Sequence, residues 1–170
     1  MDTPRHTRII GIDPGYDRCG FAIIERDIAR NETLIHSECF ETTARSPFLK
    51  RLHDVGSRFA QLISIHKPTV CAIEKVYFTT NQKTAMRVAE VRGVLLFLAT
   101  QHKQTVFEYT PNEIKVAIAG DGSADKKQVI FMIPKLLRIE HTISRDDEYD
   151  AIATALTASA CIPTTPTHSR

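Results

Sequence analysis

Ile9-Ile10-Gly11-Ile12-Asp13-Pro14-Gly15 is the stretch around which the chain is organised, and Ala72-Ile73-Glu74 answers it downstream. Each is a short apolar run that ends on one carboxylate. β-Branched runs of this length read as buried strands. An unpaired buried charge is costly, so an acid at the end of such a strand needs a polar opening or a cation. Gly11 leaves room beside the backbone, and Pro14-Gly15 turns the chain after the acid. Asp13 and Glu74 are therefore expected at the lip of a sheet, facing a cleft.

Residues 8–13 read as the first strand. Cys19 to Glu25 reads as the second, after a turn carrying Gly15, Asp17 and Gly20, and Thr33 to Thr42 as the third. Together they make an antiparallel meander. The period then changes: Phe48, Leu49, Leu52, Val55, Phe59, Leu62 and Ile63 predict an amphipathic helix over 46–66, stopped at Lys67-Pro68. Val70 to Glu74 has the continuous apolar character of a buried parallel strand. A helix over Gln82 to Gln101 follows. Its second half, Val94-Leu95-Leu96-Phe97-Leu98, is apolar nearly all round, so the face turned from the sheet needs a partner. Another helix of the chain or a homodimer contact would serve.

Thr105 to Tyr109 is the fifth strand. Thr110-Pro111-Asn112-Glu113 carries an N-cap, a first-position proline and a capping-box acid, and the helix it opens ends at Gly120. Ser123 is expected to cap the next helix, with a kink at Pro134, and Ser144 the last, which runs to about Cys161. The order is β-β-β-α-β-α-β-α-α-α. It implies an α/β fold: a mixed five-stranded sheet, three meander strands plus two parallel ones, with helices on both faces. Ligands bind such sheets at the carboxyl ends of strands.

A chain of 170 residues reads as one domain, here 1–162, with a polar, flexible tail over 163–170. Its 42% hydrophobic and 25% charged residues are ordinary for a globular protein. The net charge of +2 neither demands nor excludes nucleic acid. No apolar run approaches the roughly 20 residues of a membrane span, and Met1 to Arg8 lacks a signal-peptide core. Cys19, Cys39, Cys71 and Cys161 form no CxxC pair. Reduced structural thiols in a cytoplasmic protein are expected.

A third source of carboxylate is Arg145-Asp146-Asp147-Glu148-Tyr149-Asp150. On a helix Asp147 and Asp150 share a face. Behind them the helix is alanine-rich, which lets it approach a sheet closely. Converging acids repel one another and raise each other's pKa unless a cation intervenes. All-oxygen ligands select a hard ion such as Mg²⁺ or Mn²⁺. Two such ions ~4 Å apart can serve the attacking and leaving oxygens of a phosphate displacement. Taken singly, Asp13 could cap its turn, Glu74 could pair with a base, and Asp147 could complete a capping box with Ser144. Asp146 and Glu148 read as solvated first-turn acids.

The chain resembles the RuvC Holliday-junction resolvases, of the RNase H-like/retroviral-integrase superfamily. The resemblance rests on Gly11-Ile12-Asp13-Pro14-Gly15, Ala72 to Tyr77, Arg92-Gly93-Val94, Val106 to Tyr109, Lys115, Gly122 to Val129 and Asp147 to Ala153, and spans 9–158. It implies a homodimeric, Mg²⁺-dependent endonuclease, with two ions per site and Mn²⁺ able to substitute. Such an enzyme nicks a four-way DNA junction symmetrically, leaves 5′-phosphate ends and works with a branch-migration helicase complex of RuvA–RuvB type. The family's four catalytic, metal-binding acids fall on Asp13, Glu74, Asp147 and Asp150. Its base-stacking aromatic falls on Tyr77, where Tyr replaces the usual Phe. Two DNA-binding basic positions fall on Lys115 and Lys126.

Three alternatives stand beside this. An RNase H-like nuclease acting on RNA would share the fold and the acids. A non-catalytic junction-binding protein would keep the acids for structure. The phosphate loop of actin/sugar-kinase ATPases also resembles residues 10–16, but those proteins need a second similar half that this chain lacks.

Overall fold

The computed structural model describes residues 6–75 and 82–163. Tyr77 and, of the expected tail, 164–170 lie outside the described residues. The elements come in the expected order: β1 (His6–Asp13), β2 (Arg18–Asp27), β3 (Glu32–Glu41), α1 (Phe48–His66), β4 (Val70–Glu74), α2 (Gln82–Gln101), β5 (Thr105–Tyr109), α3 (Pro111–Ala119), α4 (Lys126–Leu136) and α5 (Asp146–Cys161).

The strands form one sheet in the order β3-β2-β1-β4-β5. β2 is antiparallel to both β1 and β3, whereas β1–β4 and β4–β5 are parallel. Alternation along the strands divides the core in two. Ile10, Ile12, Phe21, Ile23, Cys71 and Ile73 pack with α1 and α2. Ile9, Ala22, Ile24, Val70 and Ala72 pack with α3, α4 and α5. Helices thus cover both faces.

Helix α2 buries Val91, Leu95 and Ala99. α1 lies beside it at Gly56, where a Cβ would come to 3.0 Å from Val94. The chain's own α1 therefore covers part of the apolar half of α2, while Met86 and Phe97 stay exposed.

Helix α5 is buried on every side from Ala151 to Ser159. It approaches the sheet through two glycines. A Cβ on Gly11 would strike the Ala151 carbonyl and Ala155, and one on Gly20 would strike the Asp147 carbonyl. Gly20 lies within β2, not in the preceding turn. The hydroxyls of Thr154 and Thr157 donate back to Asp150 O and Ala153 O, each at 2.8 Å, so neither is orphaned by burial. At the far end the buried Arg26 of β2 donates to the carbonyls of Ser159 and Ile162, which the helix leaves unpaired.

The helix starts correct two expectations. Thr110 and Glu113 form the capping box that opens α3, and Gly120 ends it with φ 74°. But α4 is capped by Asp125, boxed with Gln128, while the Ser123 hydroxyl donates to Asp121. Asp125 and Gln128 have the same box spacing, and Ser123 is captured by its nearer neighbour. Ser144 does not cap α5: Arg145 holds the N-cap position without a side-chain cap bond, and the helix begins at Asp146. α4 passes through Pro134 and stops at Leu136.

No helix among the described residues is long and apolar enough to cross a membrane. The four cysteines are free thiols. Burial holds those of Cys39 and Cys71 up near about 12.

Candidate active site

β1 and β4 run parallel with Ile12 beside Ile73, so the next residue of each, Asp13 and Glu74, ends adjacent strands at the same edge. Both belong to the alternation that faces α5, the face of Gly11 and Ala72. Asp13 also sits opposite Gly20. Because Gly20 lies against the Asp147 carbonyl, the first turn of α5 is delivered to Asp13. The turn after Asp13 is fixed by Arg51, which pairs with Asp17 and lies 4.8 Å from the Tyr16 ring centroid. The end of β4 is held by Arg92, which pairs with Glu108 and donates to Glu74 O at 3.4 Å.

The acids feel one another. Burial raises the pKa of Asp13 well above the usual carboxylate range, and repulsion from Asp150, Glu74 and Asp147 adds to it; Lys126 offsets part. Glu74 is pushed up to about 7 by burial and then by Asp150. Asp150 is raised by burial, against the pull of Lys126. Like charges forced together out of water hold protons that they would otherwise lose.

Side-chain cations take up the rest. Lys126, in the first turn of α4, reaches Asp150 at 2.8 Å and Asp146 at 2.7 Å. Burial works against its charge, but these bonds outweigh it and hold the ammonium protonated. Arg18 of β2 pairs with Asp147 at 3.1 Å, and Cys39 Sγ lies 3.9 Å from the same carboxylate oxygen. Among the described residues, no three His, Cys, Asp or Glu side chains stand close enough to cage a metal ion unaided. Asp147 and Asp150 are instead turned onto Arg18 and Lys126. The donor set still fits a hard divalent cation, because it is all-oxygen and its members repel one another.

A cleft of about 190 Å³ opens here, lined by Glu74, Lys115, Lys126 and Asp150 with Pro111, Ile114 and Val129. Six of the sequence candidates are thus brought to one edge of the sheet: Asp13, Glu74, Asp147, Asp150, Lys115 and Lys126. Tyr77 lies outside the described residues. Sequence reasoning missed Arg18, which only β2 pairing carries to Asp147. Asp146 is the exposed first-turn acid expected, and it pairs with Lys126. One neighbour was misjudged. Glu148 is 7% exposed and bonded to Ser37 and His141, not a solvated first-turn acid.

A family model described as "Crossover junction endodeoxyribonuclease RuvC" matches residues 9–158. A protein of that name from Leifsonia xyli subsp. xyli is 40% identical over 149 residues, covering 88% of this chain and 72% of its own length. Another, from Petrotoga mobilis, is 39% identical over 147 residues, covering 86% of this chain and 90% of its own. Among solved structures, T. thermophilus RuvC in complex with Holliday junction substrate matches with a TM-score of 0.83 at 27% identity, over 90% of this chain and 93% of that one. The matched span begins in β1 and ends in α5, so it contains every strand and all four candidate acids, and the chain belongs to the RuvC family of crossover junction endodeoxyribonucleases.

Proposed function

We propose that this protein resolves four-way (Holliday) DNA junctions in recombination and repair by paired, symmetric, metal-dependent nicks that leave 5′-phosphate ends. The observation that carries the reading is the meeting of carboxylates from β1, β4 and α5 beside Lys115 and Lys126 in one cleft. Family membership adds the substrate class.

Asp13, Glu74, Asp147 and Asp150 would hold the divalent metal, in our reading two Mg²⁺ ions that Mn²⁺ can replace. The bound metal would supply an ionised water for attack and neutralise charge on the departing 3′ oxygen. The chain's own residues bind and orient. Lys126 and Lys115 offer ammonium groups to the phosphate at the cut or its neighbours. Lys126 also lowers the repulsion among the acids. Glu74, with a pKa near 7, gives up its proton to admit the cation. Tyr77 would stack on a base opened at the crossover.

Symmetric cutting needs two sites, so the working form is a homodimer. Exposed Met86 and Phe97 on α2 support a second copy at that helix. Residues 1–162 act as the single nuclease domain and 163–170 as a tail. We further infer a cytoplasmic protein that receives junctions from a branch-migration helicase of RuvA–RuvB type.

The test is a cleavage gel with a synthetic four-way junction, a linear duplex and an RNA–DNA hybrid, each with Mg²⁺ and with chelator. Paired nicks on the junction alone, lost with chelator, are expected. Cutting of the hybrid would make the protein an RNA-directed nuclease. Binding without cutting would make it a junction-binding protein.

A further inference from the structure

Behind α5, away from the catalytic cleft, Glu148 is buried in a cluster that the proposed reaction does not use. The Ser37 hydroxyl of β3 donates to Glu148 Oε1 at 2.6 Å. His141, in the loop before α5, places Nε2 3.0 Å from the same oxygen and 3.1 Å from Ser37 Oγ. Ser37 and His141 line a cleft of about 600 Å³ that runs along the edge strand β3, and Glu148 lies buried behind them. The trio is not a nucleophile arrangement, because Ser37 gives its proton to the carboxylate rather than to the imidazole.

We propose that Ser37, His141 and Glu148 form a clamp that sets the rotation of α5 about its axis and thereby aims Asp147 and Asp150 into the catalytic cleft. Glu148 is a positioning residue. The inference rests on the reading of those two aspartates as metal ligands.

Three observations lead there. First, α5 has no side-chain N-cap to fix its first turn. Second, the face behind the acids is a run of alanines, and the two glycines opposite set how near the helix lies to the sheet. The large buried knobs of α5, Ile152 and Leu156, lie one and two turns beyond Glu148, so the rotation of the first turn is left to polar contacts. Third, residues two apart on a helix point about 200° apart, so a grip on Glu148 holds the side opposite Asp150. A rotation of about 20° at a radius of about 5 Å moves a carboxylate by about 2 Å. Functional groups tolerate about 0.5 Å.

The grip joins three separate parts of the fold. β3 gives Ser37, the α4–α5 loop gives His141, and α5 gives Glu148. Arg145 adds a fourth tie by pairing with Glu41 of β3 at 2.7 Å.

The experiment measures Mn²⁺ binding by the free, full-length protein, read from the electron paramagnetic resonance of unbound Mn²⁺, with thermal midpoints alongside. Asp150→Asn tests the underlying reading: it should abolish tight Mn²⁺ binding. Glu148→Ala should weaken binding about tenfold, in the range seen when residues that orient metal ligands are removed. Glu148→Gln, which can still accept the Ser37 hydroxyl, should recover part of the loss. His141→Ala added to Glu148→Ala should cost nothing more. Leu137→Ala, which removes a side chain buried near the α4 end, should lower the midpoint and leave Mn²⁺ binding unchanged. Wild-type binding in Glu148→Ala overturns the clamp, as does equal weakening in Leu137→Ala. Unchanged binding in Asp150→Asn overturns the metal-ligand reading itself.

Discussion

Gly20 of β2 and Asp147 of α5 meet backbone to backbone: the place where a Cβ on Gly20 would stand is taken by the Asp147 carbonyl. Gly20 is also the cross-strand partner of Asp13. One residue without a side chain thus sets how near the third acid comes to the first. Gly20→Ala forces α5 away from the sheet, and the obstacle is backbone, which cannot swing aside. Overpacking of this kind costs about 3 kcal/mol. Denaturant unfolding should show it, and cleavage should be lost even where the variant is fully folded. A wild-type midpoint would refute the close approach.

Glu74→Gln and Asp150→Asn each remove one carboxylate charge without changing shape. Both should bind a four-way junction as tightly as the native protein and cut it at least a hundredfold more slowly, on gel shift and cleavage assays run in parallel. Intact cutting in either variant removes that residue from the site.

Lys126→Ala breaks two partly exposed ion pairs, so its effect on stability should stay below about 1 kcal/mol. Its effect on cutting should be larger, a tenfold loss or more at saturating Mg²⁺. Equal losses in stability and rate would reduce Lys126 to a structural role.

pH should move metal binding in a definite direction. Glu74 holds its proton up to about 7 in the folded chain, against 4.5 ordinarily, and Asp13 shifts the same way. The folded state therefore binds these protons more tightly than the unfolded one. The metal-free protein should lose this contribution to stability as pH rises from about 4.5 through about 7. A divalent cation has to displace the same protons, so its stabilising effect should be small at pH about 5.5 and full above pH about 8. Thermal midpoints with and without Mg²⁺ at the two pH values check this, and a rise of equal size at both would contradict it.

Arg26 is 3% exposed, and its guanidinium bonds to the Ser159 and Ile162 carbonyls at the negative end of α5. Arg26→Ala leaves those carbonyls unpaired and a void beside them. A loss of about 2–4 kcal/mol is expected on denaturant unfolding, with α5 amides exchanging faster.

Much of this was legible in the residues. The apolar runs ending at Asp13 and Glu74 become neighbouring parallel strand ends, and the alanines of α5 do permit close packing. Short periods carry such information directly. The capping box at Thr110 was legible for the same reason. Ser123 misled because two equally local pairings competed, its own with Asp121 and the Asp125–Gln128 box; at Ser144 the acid expected to complete the box, Asp147, is paired with Arg18 from β2. Glu148 looked like a surface acid because nothing local reveals that Ser37 and His141 close over it. Arg18 was hidden likewise: its meeting with Asp147 exists only after β2 has paired and α5 has docked.

The four acids come from the beginning, the middle and the far part of the sequence, and α5 packs on strands that all precede it in the chain. During synthesis the ribosome makes every strand before it makes Asp147 and Asp150. A half-made chain, or one clipped ahead of α5, carries Asp13 and Glu74 but not a complete set of acids. Under the proposed assignment of the acids, an unfinished copy lacks two of the four metal ligands, and the site is completed in a single step by the docking of one helix.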